Sequence, residues 1–485
     1  MRAHICLASL CVGVALTGCA LAPPQKSDEI RAQALPNLSV PASWAASTTL
    51  ADAPTDDWLA SFNDPQLSAL VEEALAYNTD LQIAVARVEQ AAGYAKLAGS
   101  TIYPVVNVLG HGGIGKSGGD GSGINILGLF ANWELDLWGR ARAQAEAGSQ
   151  QYQAAVADAQ YARQSIMAVV AKSWFLAIEA RLQAAIANDV VQSSGQAVGL
   201  SRDRLRVGRG DEYDVSLAEA NLETARDAAR QLVLAQGQAL RAIETLVGRY
   251  PAAALQVTDS LPGMPASVPT GLPSGLLERR PDVLAAEHRV NAAFYNVAEA
   301  KAARLPRIAL TAGVNSISTE LFVLQSHGNP VASLGLNLAA PIFNGFGLQA
   351  QVEIRTAEQK LAVAQYGVVA ARAFGEVEAA LSSGFAADDR EAILTRSVAS
   401  NARTVELAQV RYRVGSGDLR AVLQQNVALY AARTNLLRAQ SERRIQRVNL
   451  HLALGGSFEA TPSKREGRLG TEASEVASSG TKAAP

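Results

Sequence analysis

The chain has 485 residues, with 43 basic and 45 acidic side chains and a formal net charge of −2. A charge balance this close to zero argues against a nucleic-acid partner, which normally selects a basic surface. A chain of this length would ordinarily fold as several domains.

The N-terminus predicts export from the cytoplasm. Residues 1–18 combine a basic start with an apolar run over 5–16, which is typical of a signal peptide and too short to span a bilayer. Residues 16–19 read Leu-Thr-Gly-Cys and resemble the bacterial lipobox. That resemblance implies that Cys19 becomes the first residue and carries acyl chains, and that Ala20 after it permits transfer to the outer membrane. The alternative is an ordinary signal peptide with a chance cysteine.

The ends of the mature chain are expected to lack a fold of their own. Residues 19–57 are rich in Pro, Ser and Ala, which predicts a lipidated, extended linker and equatorial segment, and residues 457–485 predict a disordered tail. Cys6 and Cys11 lie in the removed segment, so no disulfide framework is possible. After Cys19 the sequence contains no run of about 18 uncharged apolar residues, so it predicts no transmembrane helix.

The most informative pattern is an internal duplication. Residues 204–215 read RLRVGRGDEYDV and residues 411–422 read RYRVGSGDLRAV, at an offset of 207. A second alignment, at an offset of 202, places Pro104 on Pro306. The unit is far longer than a solenoid repeat. We therefore predict two structural repeats, at 58–250 and 276–456, joined by a linker at 251–275.

Proline placement predicts long helices in each repeat. No proline occurs between Pro104 and Pro251 or between Pro341 and Pro462, and both stretches are dense in strong helix formers. Each should hold two helices joined at the repeated Val-Gly-x-Gly-Asp turn. If 139–206 is one helix, it spans roughly 100 Å at 1.5 Å per residue.

Short strands are expected before these helices. Alternating apolar residues at about 104–136 and 306–342 predict one β-hairpin per repeat, and Leu334, Leu336 and Leu338 share one face. Four strands cannot close a membrane barrel, which needs at least eight. Strands placed in lipid must therefore come from several chains that share one barrel, because lipid does not tolerate open edges.

A glycine-rich segment imitates a nucleotide site. Residues 110–117 read GHGGIGKS and satisfy the Walker A pattern, but GGDGSG follows and cannot begin the helix that a phosphate loop needs. We interpret the segment as a hairpin loop. The histidines are scattered without metal-ligand spacing, so the sequence predicts neither a cofactor nor an enzyme.

These features together identify a family resemblance. The motifs that carry it are the lipobox, both repeated turns, WLASFNDPQL at 58–67, NTDL at 78–81, WELDLWGR at 133–140, ERRPDV at 278–283 and PIFNG at 341–345. With these motifs, the chain resembles the TolC-like outer-membrane efflux channels, in the lipoprotein branch of the OprM or NodT type, over about residues 36–456. The resemblance implies that the two repeated turns lie at the periplasmic tip of the channel.

The resemblance implies a mixed, mainly α fold and a set of partners. Three chains would form a homotrimer, with a helical barrel of coiled-coil helices in the periplasm and four strands per chain in a 12-stranded outer-membrane β-barrel. A periplasmic adaptor (a membrane fusion protein) and an inner-membrane transporter of the RND class would complete the system, and the channel would perform no chemistry.

The resemblance also places functional residues at the two repeated turns. Six residues should form the adaptor contact, and the glycines among them fit positive-φ turn positions: Val207, Gly208, Gly210, Val414, Gly415 and Gly417. Five should line the channel constriction: Asp211, Asp214, Asp418, Arg420 and Gln424. The acids could pair with Arg420, Arg411 or Arg413. Many relatives are acidic where Gln424 stands, which puts a carboxylate ring at that level in doubt. The alternatives are plain helix punctuation and a solvated charged rim.

Two other interpretations stay open from the sequence. One is the outer-membrane exit of a type I protein secretion system, whose members usually lack the lipobox. The other is a periplasmic coiled-coil lipoprotein without a pore, which explains the helices but not two symmetric hairpins. The tryptophans Trp133 and Trp138 fit either an interfacial aromatic girdle or packing against the equatorial region that the resemblance implies around the middle of the molecule.

Overall fold

The computed structural model describes residues 24–46, 58–111, 125–266, 268–271, 273–318 and 331–456. Cys19, most of the glycine-rich segment and the C-terminal tail lie outside these residues. Two short 3₁₀ helices accompany the regular elements, at Ala60–Phe62 and Pro273–Gly275. In chain order, the regular elements are α1 (Ser27–Ala34), α2 (Pro65–Tyr77), α3 (Thr79–Ser100), β1 (Val105–His111), β2 (Asn125–Glu134), α4 (Arg140–Arg206), α5 (Glu212–Leu246), α6 (Leu276–Arg279), α7 (Pro281–Ala302), β3 (Arg307–Ser318), β4 (Val331–Ala339), α8 (Gly347–Arg413) and α9 (Leu419–Ala453).

The predicted duplication is confirmed by matching helix lengths. Helices α3 and α7 each have 22 residues, α4 and α8 each have 67, and α5 and α9 each have 35. From α3 to α5 and from α7 to α9, the difference in length between the halves therefore lies in the hairpin segments, while the preceding helices also differ, with 13 residues in α2 and four in α6. Both predicted hairpins and both long helix pairs are present.

The two halves also end their last helix in the same way. Gly248 and Gly455 have φ values of +78° and +67°, and each closes a Schellman motif after its helix. The side chain of Asn78 donates to the carbonyl of Leu246 at 2.8 Å, and Arg280 donates to the matching carbonyl of Ala453 at 3.1 Å. The same helix end is thus capped by different side chains in the two halves.

The first of two compact units contains residues 1–38, 85–159 and 282–371. Its four strands form one antiparallel sheet in the order β1-β2-β3-β4, so β1 and β4 are the edges. The register places Val106 opposite Ala131, Ala131 opposite Ala312, and Ala312 opposite Leu334. Because side chains alternate between faces along each strand, this register lines up the predicted apolar positions on one face.

Helix α1 belongs to this unit and corrects one expectation. Residues 19–57 were expected to be extended, yet Ser27–Ala34 is helical with Ile30 fully buried. Ser27 Oγ donates to Glu287 at 2.7 Å, and a Cβ added at Gly367 would lie only 2.8 Å from the carbonyl oxygen of Ala34. Packing on α7 and α8 therefore stabilises a helix too short to form alone.

The second unit contains residues 39–84, 160–281 and 372–485 and holds the larger core. The buried side chains of Trp58, Phe62, Trp174 and Phe175 lie in one hydrophobic cluster with residues of α2, α5 and α9. Trp58 also stacks on His451, with ring centroids 5.0 Å apart and an interplanar angle of 7°. None of the described helices combines the length and apolar character that a membrane-spanning helix needs.

Candidate functional site

The two repeated turns adopt the same backbone geometry. After α4, the amide of Arg209 donates to the Arg204 carbonyl at 2.8 Å and that of Gly208 donates to Leu205 at 3.0 Å. After α8, Ser416 and Gly415 make the matching bonds at 3.0 and 3.1 Å. These pairs are Schellman motifs, which need a left-handed residue after the helix. Gly208 and Gly415 supply it with φ values of +72° and +83°.

The second glycine of each turn has a different reason to be glycine. Gly210 and Gly417 were expected to have positive φ, and that expectation is wrong, because neither is among the positive-φ residues. A Cβ at Gly210 would instead lie 3.1 Å from the Arg204 Cβ, and one at Gly417 would lie 3.0 Å from the Arg411 Cβ. The turn thus folds back so closely that any Cβ at this position would push its neighbours aside by a few tenths of an ångström.

The acids after each turn begin the next helix. The Asp211 side chain accepts from the Asp214 amide at 2.8 Å, and Asp418 accepts from the Arg420 amide at 3.0 Å. Both are N-caps, each typically worth about 1 kcal/mol of helix stability. The glycine and aspartate of the repeated motif therefore terminate one helix and start the next.

The valines of both turns are presented to solvent. Val207 is 65% exposed and Val414 is 73% exposed. An apolar side chain held at this exposure on a rigid turn is available to a partner protein.

Beneath the turns, the two helix pairs pack on each other within the second unit. The buried side chains of this cluster come from all four helices: Val198, Ala218, Tyr412, Leu419, Val422 and Leu423. The cluster holds both turns at one end of the helix pairs.

Two arginine–tyrosine contacts connect the helix pairs at the same level. The Arg204 guanidinium lies 4.3 Å above the Tyr412 ring and donates to the Tyr412 carbonyl at 2.7 Å. Arg420 donates to the Tyr213 hydroxyl at 2.6 Å. Arg420 was expected to pair with a nearby acid, but in the described chain its guanidinium bonds to a tyrosine instead.

The remaining constriction candidates differ in burial. Asp214 is half-buried, and its pKa is raised by burial first and then by the neighbouring Asp211 and Asp418 carboxylates, while Arg204 opposes the shift. Gln424 is exposed one helical turn after Arg420, so both lie on one face of α9, as the spacing predicts. The turns therefore carry an exposed polar patch of mixed charge.

The sheet has one apolar and one polar face. The apolar face is largely exposed in the single chain and contains Val106, Val108, Leu127, Leu129, Ala131, Trp133, Ile308, Leu310, Ala312, Val314, Leu334, Leu336 and Leu338. The opposite face, called the polar face below, carries the polar side chains of Asn107, Asn132, Thr311, Ser333 and Asn337, with Val105, Leu109 and Phe130 among them. An exposed apolar face of this extent suits lipid, and the polar face suits a water-filled lumen.

Sequence reasoning missed the two tyrosines. Tyr213 and Tyr412 contact arginines more than 200 positions away, and nothing in their local sequence indicates a partner. The one available signal was the duplication itself, because Tyr213 and Arg420 occupy equivalent positions in the two halves. Cys19, the predicted lipid attachment site, lies outside the described residues.

Comparisons with known proteins agree on one family. A family model described as outer membrane efflux protein matches residues 70–249 and 272–456. The cation efflux system protein CusC of Escherichia coli O6:H1 is 31% identical over 466 residues, which cover 93% of this chain and 99% of that protein. The pyoverdine export outer membrane protein OpmQ of Pseudomonas aeruginosa is 30% identical and covers 87% of this chain and 92% of its own. The solved outer-membrane channel OprN matches with a TM-score of 0.83 at 27% identity, over 90% of this chain and 99% of that one.

Proposed function

Because the chain belongs to the outer membrane efflux protein family, we propose that three copies assemble into one duct that carries small molecules out of the periplasm. The observation that carries this proposal is the open sheet of four strands. Within the part of the chain that the structure describes, no strand pairs with the outer sides of the edge strands β1 and β4, and the apolar face of the sheet is exposed. In lipid those edges must be paired, and three sheets of four strands give a closed barrel of twelve.

In this assembly β4 of one copy pairs with β1 of the next. Cys19 carries acyl chains that hold the N-terminus in the outer membrane. At most about 28 Å of extended chain separates Cys19 from the start of α1, at about 3.5 Å per residue. The protein is thus a lipid-anchored outer-membrane channel that extends into the periplasm.

The exposed valine turns receive the periplasmic adaptor. Val207 and Val414 pack against its apolar tip, and the inner-membrane RND-type transporter behind the adaptor supplies the energy. The channel's own part is passage, so no catalytic residue is assigned.

The arginine–tyrosine contacts hold the resting tip closed. Arg204 and Arg420 each connect one helix pair to the other, and threefold repetition would multiply contacts that are individually weak. Adaptor binding at the neighbouring valines would then separate the helix pairs at a low energetic cost. Asp214, Asp418 and Gln424 complete the polar lining at this level.

The names of the relatives support a class of cargo, small molecules, and not one specific compound. Their names specify cations for CusC and pyoverdine for OpmQ as exported compounds. We therefore propose small-molecule efflux, with a type I protein secretion duct as the second candidate. The protein-secretion candidate predicts a missing secreted protein rather than drug sensitivity in a deletion strain.

The assembly is tested by cysteine cross-linking between edge strands. Single copies carrying Val108→Cys on β1 and one of Leu334→Cys, Leu336→Cys or Leu338→Cys on β4 are oxidised in intact cells. At least one pair should give a covalent trimer on a denaturing gel, whereas single-cysteine controls should not. Monomers only, from variants that still complement an efflux-deletion strain for dye export, would refute the shared barrel.

The closed tip is tested by passive uptake of vancomycin, which is too large for ordinary porins. Arg420→Ala should raise vancomycin sensitivity, and Tyr213→Phe should raise it less because the aromatic ring remains. Arg413→Ala is the matched control, since among the described residues this exposed arginine bonds only to a carbonyl of its own helix, at 3.5 Å. Equal sensitivity of the Arg420 and Arg413 variants would remove the gate from the proposal and leave the channel standing.

A further inference from the structure

The strands meet the helices at one end of the sheet, in a zone of distinctive composition. Strands β1 and β3 begin there and β2 and β4 end there, as the pairing of Val105 with Asn132 and of Arg307 with Ala339 requires. We call residues 99–104, 134–142, 299–307 and 339–347 the strand-base rim. All of them belong to the first compact unit.

Two tryptophan side chains, one in β2 and one in the rim, donate hydrogen bonds to backbone carbonyls of the rim. Trp133 Nε1 donates to the Ile102 carbonyl at 2.8 Å, and Trp138 Nε1 donates to the Pro306 carbonyl at 2.6 Å. The Leu135 amide also donates to the Ile308 carbonyl at 2.8 Å. The segments before β1 and before β3 are thus both hydrogen-bonded to the end of β2 or to the residues just after it. These bonds give the rim a defined structure.

The rim carries an excess of positive charge. It contains five cations and three acids, a balance of +2 per chain. All three acids are paired: Glu134 and Glu299 with Arg140 at 2.8 and 3.5 Å, and Asp136 with Arg142 at 3.1 Å.

The cations left over are not engaged. Lys301 and Arg304 are exposed, and among the described residues neither side chain has a hydrogen-bond or ion-pair partner. Arg307, the remaining cation, lies on the polar face of the sheet. The first repeat has Gly99 and Ile102 at the positions equivalent to Lys301 and Arg304, so these two charges belong to one side of the pseudo-symmetric hairpin pair.

The rim also exposes large apolar side chains, at both edges of the sheet. Ile342 is 92% exposed, Phe343 is 79% exposed, Phe346 is 72% exposed and Tyr103 is 70% exposed. Phe346 holds this position with φ +65°, a left-handed conformation that is an outlier for a bulky residue. Its ring packs edge-on against Phe343 at 5.9 Å. The left-handed backbone of Phe346 thus places an exposed aromatic ring in the rim.

We propose that the strand-base rim is a binding surface for anionic glycerophospholipids in the periplasmic leaflet of the outer membrane. The inference rests on the proposed function, because it takes the sheet to be inserted with its helices on the periplasmic side. Aromatic side chains sit at the headgroup level of bilayers, and unpaired Lys and Arg there attract lipid phosphodiesters. Lys301 and Arg304 bind the phosphate while Phe343 and Phe346 contact the glycerol and upper acyl region. The opposite end of the strands faces the other leaflet.

The test counts lipids retained on the purified full-length trimer by native mass spectrometry. The trimer is titrated with phosphatidylglycerol or with zwitterionic phosphatidylethanolamine of the same acyl chains. Wild type should prefer phosphatidylglycerol. The double variant Lys301→Gln/Arg304→Gln should weaken phosphatidylglycerol binding roughly 5-fold per cation, hence roughly 25-fold, and leave phosphatidylethanolamine binding unchanged. The matched control, Lys360→Gln/Arg396→Gln, removes one exposed lysine and one exposed arginine of α8 and should keep the preference.

A second variant tests the aromatic part without disturbing the backbone. Phe346→Gly suits the positive φ, so its trimer should be no less stable than wild type while losing affinity for both lipids. A trimer that dissociates on this change would identify Phe346 as a contact between copies and overturn its lipid role.

Conductance of the same preparations in planar bilayers separates the two proposals. An intact conducting trimer without a phosphatidylglycerol preference, or with a preference that the double variant retains, overturns the rim proposal alone. A preparation that neither trimerises nor conducts overturns the proposed function as well.

Discussion

Acidification should destabilise the folded chain through one buried histidine. His451 is 3% exposed, stacks on Trp58 and lies near Arg447, and burial, with a smaller effect from Arg447, lowers its pKa to about 3 from an ordinary 6.5. Below about pH 6.5 the His451 imidazole is therefore protonated in the unfolded chain but stays neutral in the folded chain. Stability from this group is fully present above pH 6.5 and is lost as the pH falls towards 3.

The size of the loss follows from the two pKa values. At pH 4.5, two units below the pKa of the unfolded state, protonation of His451 in the unfolded chain lowers the free energy of unfolding by about 2.7 kcal/mol per chain relative to pH 7.5. For a chain of this size that corresponds to a fall in unfolding temperature of about 3 °C. A folded-state pKa of 4 instead of 3 would change the result by only about 0.1 kcal/mol.

The measurement is thermal unfolding of the detergent-solubilised protein at pH 7.5 and pH 4.5, at one scan rate, for wild type and His451→Phe. Phenylalanine keeps a flat ring against Trp58 and cannot be protonated. Any packing penalty acts equally at both pH values, and carboxylates that titrate in this range act equally in both proteins. The wild type should therefore lose about 3 °C more than the variant on acidification. Equal losses would refute the assignment of the acid sensitivity to His451.

Two further predictions concern the N-terminal helix and the sheet. Gly367→Ala should loosen α1, because the added Cβ would lie 2.8 Å from the Ala34 carbonyl oxygen. The control is Gly375→Ala, also on α8, where an added Cβ meets nothing within 4 Å. Limited trypsin digestion should cleave α1 faster only in the Gly367 variant, and equal rates would contradict the packing. Leu336→Arg on the apolar face should destabilise the membrane-inserted barrel by roughly 2–4 kcal/mol, while Asn337→Arg on the polar face should insert normally. The amount of heat-modifiable trimer on gels measures insertion of both variants, and equal defects would contradict the assignment of the faces.

The sequence predicted the large elements because their signals are redundant. The 67-residue helices lack proline throughout, contain strong helix formers and occur twice. The hairpins follow from alternation over whole strands, which also fixes the apolar face. Agreement between two copies of each pattern made these predictions more secure than either copy alone.

Local details escaped prediction where different physical causes favour the same residue. Gly208 needs a left-handed backbone and Gly210 needs space beside Arg204, yet both requirements select glycine. Helix α1 depends on Ile30 reaching a pocket formed by distant segments, which its eight residues do not reveal. The bond between Tyr213 and Arg420 likewise exists only once the two helix pairs meet.

The equal helix lengths of the two halves restrict how this chain can change in evolution. A single residue inserted into α4 would shift its turn by about 1.5 Å and 100° relative to the turn after α8, and the shared cluster below would misalign. Only paired insertions, one in each half, keep the two turns in step. The hairpin segments are free of this restriction, since they already differ between the halves, at 39 residues between Ser100 and Arg140 and 44 between Ala302 and Gly347. Variation in length should therefore accumulate in the hairpins, while the helices are inherited as a matched pair.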